Sequence, residues 1–438
     1  MTWNRFSKLI PHICTIKAVF SLGLVTCLSS LSGCSGGSTQ PTPTPTPIVP
    51  PSGSEYLVSF GGQGWDGTSL GNLLSFPLNS TSGVLGSSQN SQGPQSSDSP
   101  MYAGTNLWAT PGSKFVYFAG AFFEGNSPGP YGIFSYSVAS DGTLPLLSQG
   151  EPFVPQIPFE GATGVVMDGA GKFLYISDED SATGKHYLRA FLINPNTGAI
   201  SEGPILTNTT VSYQYVQAAD PTGSYVYEWE QDSSYNLFLR AFLINGSTGA
   251  LTEVAGSPYL VAASSTTAAT WPTGLGSLAI SPSGKFLYAG VTYAQTTVQL
   301  SPSQVYAYSI GPSGALSQVG SSPVSIQAQE IASLLVHPNG NYLYVSYRPG
   351  DPTGDNSAIA TYSLNPASGA VSNHPTSTIQ VADDACCSNL LFDSSAKVLL
   401  GSGESWNSFT VDGSTGALTF AGSTPTMEYF SGVVVKTP

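Results

Sequence analysis

A tight turn running into an aromatic strand recurs along this chain, and it restricts the fold more than any other feature. It reads Pro111-Gly-Ser-Lys-Phe-Val-Tyr117, Gly169-Ala-Gly-Lys-Phe-Leu-Tyr175 and Pro221-Thr-Gly-Ser-Tyr-Val-Tyr227. It returns as Pro282-Ser-Gly-Lys-Phe-Leu-Tyr288 and Pro338-Asn-Gly-Asn-Tyr-Leu-Tyr344, then as a worn copy, Ser394-Ser-Ala-Lys-Val-Leu-Leu400. A truncated copy opens the body at Glu55-Tyr-Leu-Val-Ser-Phe60. A second anchor is a strand, a turn ending in glycine and a short strand, as in Ala190-Phe-Leu-Ile-Asn-Pro-Asn-Thr-Gly-Ala-Ile200. Its seven turn glycines are Gly83, Gly142, Gly198, Gly249, Gly314, Gly369 and Gly416.

Each repeat alternates apolar with small or polar residues over four short runs, as strands do. In the fifth copy the runs are 275–281, 285–289, 305–310 and 315–319. Four strands in roughly 50 residues make one blade of a β-propeller. The expected fold is all-β, a seven-bladed β-propeller over 55–438. The body opens in the second strand of a blade, and Gly432-Val-Val-Val-Lys436 can supply the missing first strand. Pairing that C-terminal strand with the N-terminal blade closes the ring and removes its free edge.

Composition excludes the main alternatives. Charged residues are 9% of the chain, against about 25% in an ordinary domain, too few for a coiled coil, a helical solenoid or a nucleic-acid binder. Twenty-two Tyr, 20 Phe and 6 Trp supply core material that a disordered chain lacks.

The N-terminus carries an address. Arg5, Lys8 and Lys17 precede an apolar run, 18–28, too short to span a bilayer. The run ends in Leu31-Ser-Gly-Cys34, which resembles the lipobox of bacterial lipoproteins. The resemblance implies a signal peptide over 1–33, lipid on Cys34, and a membrane contact through that lipid alone. The segment 34–54 includes Pro41-Thr-Pro-Thr-Pro-Thr-Pro47, an extended spacer. Ser35 after the cysteine fits sorting to an outer membrane or cell surface, so the expected address is the cell envelope. Removing 1–34 leaves 26 acids and 9 bases, an excess that repels nucleic acid.

The aromatic turns and the Asn-x-x-x-Gly-x-Leu strands together resemble the lactonase-type propellers, which include 6-phosphogluconolactonases and Tyr-Val-Thr-Asn repeat proteins. The resemblance covers 55–438 and lies in turn and core residues. Enzymes of that family carry Arg-His on an innermost strand. The matching positions here hold Thr105 and Asn106, Thr163 and Gly164, Tyr215 and Val216, Gly276 and Ser277, Ala332 and Ser333, and Ser388 and Asn389. The family's glutamate four residues beyond the strand tyrosine is matched by Glu179, which the resemblance makes the candidate catalytic base. A phosphosugar substrate needs cations. Lys114, Lys172, Lys285 and Lys397 instead sit in the aromatic turns, Arg189 and Arg240 on outer strands, and only Lys185 and Arg348 in long loops.

The long loops share one face and place acids beside aromatics. Glu160, Asp178, Asp180, Tyr215, Trp271, Glu330, Arg348, Asp383, Asp384, Glu428 and Tyr429 are the ligand candidates there. That mixture suits sugars or cations, through stacking, hydrogen bonds and cation–π contact. Cys386-Cys387 stands near the mouth of the last blade. In an oxidising compartment it is a candidate vicinal disulfide. No metal-ligand spacing is present among the histidines, and the expected cofactor set is empty. Asp351-Pro-Thr-Gly-Asp355-Asn356 could help hold Ca²⁺ but lacks the closing glutamate of an EF-hand. His337, within Val336-His-Pro338, reads as structural. Two functions fit: an exported, lipid-anchored module that binds a sugar, peptide or protein, or a hydrolase of lactones or sugar esters. The missing Arg-His pair favours binding.

Overall fold

The computed structural model describes residues 53–62, 72–90, 101–103, 107–124, 127–147, 153–156, 162–180, 183–208, 213–264, 272–274, 277–293, 302–326, 328–349, 357–381, 387–425 and 428–438. The N-terminal unit Met1–Ile48, with the expected signal peptide and Cys34, lies outside them. The described residues form seven antiparallel sheets and no helix. The chain is a seven-bladed β-propeller.

Blade 3 shows the plan, with strands Ala162–Met167, Phe173–Asp180, Lys185–Ile193 and Ile200–Asn208 paired in chain order. The expected strands of blade 5 are met by Leu278–Ile280, Phe286–Tyr293, Ser303–Ile310 and Leu316–Gln318. Blade 1 is the composite one. Glu428–Lys436 pairs with Glu55–Gly62, Glu55 opposite Lys436 and Val58 opposite Val433. The first and last strands thus share one sheet, and the ring closes.

The two sequence anchors meet in space and hold blade to blade. All seven turn glycines adopt φ between 72° and 81°, which a side chain adopts only with strain. They are also crowded. A Cβ on Gly198 of blade 3 would stand 2.6 Å from the Phe115 ring of blade 2, and one on Gly249 of blade 4 would stand 2.8 Å from Phe173 of blade 3. Tyr56 meets Gly142, Tyr225 meets Gly314, Phe286 meets Gly369 and Tyr342 meets Gly416 in the same way. In three copies the second aromatic of the motif then donates its hydroxyl to the glycine carbonyl. Tyr117 reaches Gly198 at 3.0 Å, Tyr175 reaches Gly249 at 3.1 Å and Tyr344 reaches Gly416 at 2.9 Å.

The worn repeat leaves its mark at the seam between blades 7 and 1. Val398 takes the place of the ring near Gly83, and Leu400 replaces the tyrosine. Glu55 of blade 1 instead accepts the hydroxyl and, at 3.4 Å, the amide of Ser394 of blade 7. Trp406 donates its indole N–H to Ser59 across the same seam at 2.7 Å.

His337 is a structural residue. Its Nδ1 accepts the Asn339 amide at 3.1 Å, so its Nε2 carries the proton, 3.2 Å from the Ala396 carbonyl of blade 7. Asp168, Asp220 and Asp393 cap the equivalent turns by accepting backbone amides.

Candidate active site

Second strands run from the rim that carries these turns to the opposite, loop rim, and third strands start there. The residues expected in long loops are therefore strand ends. Asp178, Glu179 and Asp180 end Phe173–Asp180, Lys185 begins Lys185–Ile193, and Arg348 lies within Tyr342–Pro349. Polar side chains end the apolar alternation, but backbone pairing continues past it. Glu228, Trp229, Glu230 and Gln231 likewise belong to Tyr225–Gln231.

Strand alternation sorts these groups between the two sides of blade 3. Ile176, Asp178 and Arg189 face blade 2. Asp178 and Arg189 are each 2% exposed, and Arg189 donates to the Asp178 carboxylate at 2.5 Å. Asp178 is therefore a packing residue, closed off by its ion pair, and its carboxylate is not open to a ligand. Asp180 accepts the Thr183 hydroxyl at 2.6 Å and the Thr183 amide at 3.1 Å, which fixes the short turn to the next strand.

Tyr175, Ser177 and Glu179 face blade 4, where Ser177 Oγ accepts the Val216 amide at 3.0 Å. Glu179 is half-buried at the rim and makes no hydrogen bond or ion pair among the described residues. His186 pairs opposite it across the strands, is 4% exposed, and also has no partner among them. Blade 4 presents Glu228 and Glu230 to this seam, both buried. Arg240 grips Glu253 with two hydrogen bonds of 3.0 and 2.9 Å. It leaves Glu230 a contact at 3.2 Å that is not aligned for a hydrogen bond. Burial raises the Glu230 carboxyl above its usual range, Arg240 lowers it, and Glu253 and Asp232 add to the rise.

The other side of blade 4 is aromatic. Half-buried Tyr215 and Tyr293 pack against a core containing Trp229 and Tyr306. Trp229 donates to Gln217 at 3.1 Å, and the Tyr293 and Tyr306 hydroxyls meet at 3.0 Å beside Gln304. Burial raises both tyrosine hydroxyls. In blade 6, Glu330 and Arg348 are exposed and lie 3.8 Å apart.

Cys387 is disulfide-bonded, fully buried and at φ 75°. Its side chain packs with Tyr344, Leu390 and Leu399 between blades 6 and 7. A Cβ on Gly401 would stand 2.7 Å from its sulfur. The Cys387 carbonyl accepts the Ser346 hydroxyl at 2.6 Å. Cys386, Glu160, Trp271, Asp383, Asp384 and the candidate Ca²⁺ segment 351–356 lie outside the described residues, as do the side chains of Glu428 and Tyr429.

The cations are arranged poorly for phosphate. Lys114, Lys172, Lys285, Lys397 and Lys436 sit at the turn rim, and Lys114 is tied to the Pro195 and Asn196 carbonyls at 3.1 Å. At the loop rim Arg189, Arg240 and Arg348 already face carboxylates, which leaves the exposed Lys185 as the one cation there with no ion pair among the described residues. Among the described residues no three His, Cys, Asp or Glu side chains converge to hold a metal ion.

Solved structures of the same architecture carry lactonase names. A candidate 6-phosphogluconolactonase from Bacteroides uniformis superposes with a TM-score of 0.63 at 16% identity, covering 87% of this chain and 99% of its own. The fold is lactonase-like. A candidate 6-phosphogluconolactonase from Bacteroides fragilis gives 0.62 at 17% identity, covering 90% and 100%. The periplasmic gluconolactonase of Pseudomonas aeruginosa gives 0.62 at 15%, covering 88% and 100%. No protein-family model and no curated protein sequence matches this chain. Identities this low carry the lactonase-like fold and leave the chemistry to the side chains. His186 is the residue that sequence reasoning passed over. Its only signal is its place two residues into the strand that returns from Glu179.

Proposed function

We propose that this lactonase-like propeller hydrolyses an unphosphorylated lactone or sugar ester at the loop rim of blades 3 and 4, with Glu179 as the base. One observation carries the reading. Glu179 stands half-buried and unpartnered among the described residues, beside carboxylates that are buried or tied. The lactonase names of the solved neighbours support the reaction class. The disposition of the cations speaks against a phosphorylated substrate.

In the reaction, the Glu179 carboxylate takes a proton from water while the water oxygen bonds to the lactone carbonyl carbon. The carbonyl electron pair moves to its oxygen. When the tetrahedral intermediate collapses, the ring C–O bond breaks and the ring oxygen takes the proton held by Glu179. Water is consumed and a hydroxy acid leaves. The test is proton release by residues 55–438 on glucono-, glucurono- and acyl-homoserine lactones. Turnover above the uncatalysed rate is expected, falling about 10²–10⁴-fold in Glu179→Gln. Equal turnover in the variant removes Glu179 from the role.

Tyr215 and Tyr293 favour a second reading, in which the rim binds a sugar, peptide or protein without turnover. Calorimetric binding of a lactone or its acid with no proton release would support it. The proposed address is the cell envelope, through lipid on Cys34. Labelling with a radioactive fatty acid that persists in Cys34→Ser would overturn that part.

A further inference from the structure

Blade 4 has a second polar side, turned from Glu179 toward blade 5. Tyr215, Trp229 and Gln231 of blade 4 meet Tyr293, Gln304 and Tyr306 of blade 5 there. Tyr215 and Tyr293 are half-buried and stand near the loop-rim ends of Tyr213–Ala219 and Phe286–Tyr293. Glu228, Glu230 and Arg240 alternate to the far side of blade 4. No Asp, Glu, Lys or Arg of the described strands of blades 4 and 5 faces this seam.

The amides here are each committed at one end. Gln231 donates to the Pro272 carbonyl of blade 5 at 3.1 Å. A carbonyl only accepts, so the –NH2 of Gln231 is turned to it and the Oε1 is left open. Trp229 donates its indole N–H to Gln217 at 3.1 Å. An indole only donates, so Gln217 turns its Oε1 inward and leaves its –NH2 open. Beside them the Tyr293 and Tyr306 hydroxyls and Gln304 Oε1 stand 2.8–3.0 Å from one another. Two hydroxyl protons fill two of those three contacts, so the hydroxyls have only lone pairs left to offer. The –NH2 of Gln304 makes no hydrogen bond among the described residues. All three glutamines are half-buried.

A ligand matched to these groups carries hydroxyls that both donate and accept, an apolar surface for the rings, and no charge. A carboxylate would bring lone pairs to lone pairs with no cation in the seam. An ammonium would lose water with no anion to replace it. We infer that the loop-rim end of the seam between blades 4 and 5 is a subsite for a neutral pyranose ring. The ring packs against Tyr215 and Tyr293, and the open ends of Gln217, Gln231 and Gln304 bond its hydroxyls. The inference rests on the reading of the loop rim as the ligand face and names the class of ligand; it needs no turnover at Glu179.

The test is titration of residues 55–438, followed by saturation-transfer NMR, with the methyl pyranosides of glucose, galactose and mannose. Gluconate, choline and N-acetylglycine methylamide serve as the anionic, cationic and peptide-like probes. Saturable binding of at least one pyranoside is expected, tighter than that of the other three probes. Gln231→Leu keeps the bulk of the side chain and removes the amide, and is expected to weaken that binding about tenfold, the worth of one hydrogen bond. Tyr293→Leu should weaken it more than Tyr293→Phe, which keeps the ring. Thermal melts of the variants matching the unsubstituted protein exclude misfolding as the cause. No pyranoside bound, an affinity unmoved by Gln231→Leu, or tighter binding of gluconate, choline or the amide overturns the inference. Pyranoside binding with no lactone hydrolysed supports the subsite and removes the hydrolytic reading. Lactone turnover with no pyranoside bound does the reverse.

Discussion

At the turn rim each of six seams repeats one contact, a ring of one blade under a glycine of positive φ in the next. At the loop rim no two seams among the described residues hold the same side chains. Blades 2 and 3 enclose the Arg189–Asp178 ion pair, blades 3 and 4 face each other with carboxylates and His186, and blades 4 and 5 with tyrosines. Repetition belongs where the physical demand is common to all blades, which is to seat one sheet on the next. Variety belongs where the surroundings of single groups are to be set. The seam of blades 7 and 1 confirms the division from the other side. It has lost the aromatic contact and is held by Glu55, Ser394 and Trp406, groups that no other seam uses in this way among the described residues.

The comparison can be broken at its strongest point by Gly369→Val. The substitution forces a Cβ to within 2.2 Å of the Phe286 ring and strains a φ of 74°. A loss of about 3 kcal/mol in urea unfolding is expected, with any lactone turnover per folded molecule unchanged. A variant as stable as the unsubstituted protein would show that the contact is not a fastening.

Tyr175→Phe removes one hydroxyl and orphans the Gly249 carbonyl. About 1–2 kcal/mol should be lost, again without effect at the other rim. A change in turnover with stability intact would mean that the two rims are coupled.

Glu230→Gln probes the loop rim and is the smallest effect. The Glu230 carboxyl is raised, first by burial, so the folded chain holds that proton more tightly than the unfolded chain does. The ionised form therefore costs stability above the folded titration point. That cost disappears as pH falls through that point to the ordinary carboxylate value. The glutamine variant should be more stable than the unsubstituted protein at neutral pH by less than about 1 kcal/mol. The difference should close as pH is lowered toward about 4. A gap that widens on acidification would show that Arg240 dominates burial.

The turn rim was legible because its chemistry is local. A positive φ asks for glycine within a few residues of an aromatic strand, and seven copies leave little choice of fold. His337 could be read as structural for the same reason, since it stands in a turn where other blades use Asp168, Asp220 or Asp393. The loop rim was legible only in part. The pairing of Asp178 with Arg189, eleven residues apart, follows from how many residues the Thr183-Gly184 turn consumes. The same count sets His186 against Glu179, and alternation alone does not reveal it. Asp178 and Asp180 read as loop acids, yet they end a strand, because charge stops an apolar pattern without stopping a strand. Cys387 is expected near the mouth of the last blade. The structure buries its side chain between two blades, where the small Gly401 leaves room for sulfur.

Closing the ring in blade 1 also brings the two ends of the described body together. Gly53 donates its amide to the Thr437 carbonyl at 3.1 Å, and Glu55 pairs with Lys436, so both ends of the body lie at the turn rim. That rim is the one opposite Glu179, so closing the ring and holding the candidate base are tasks given to opposite ends of the strands.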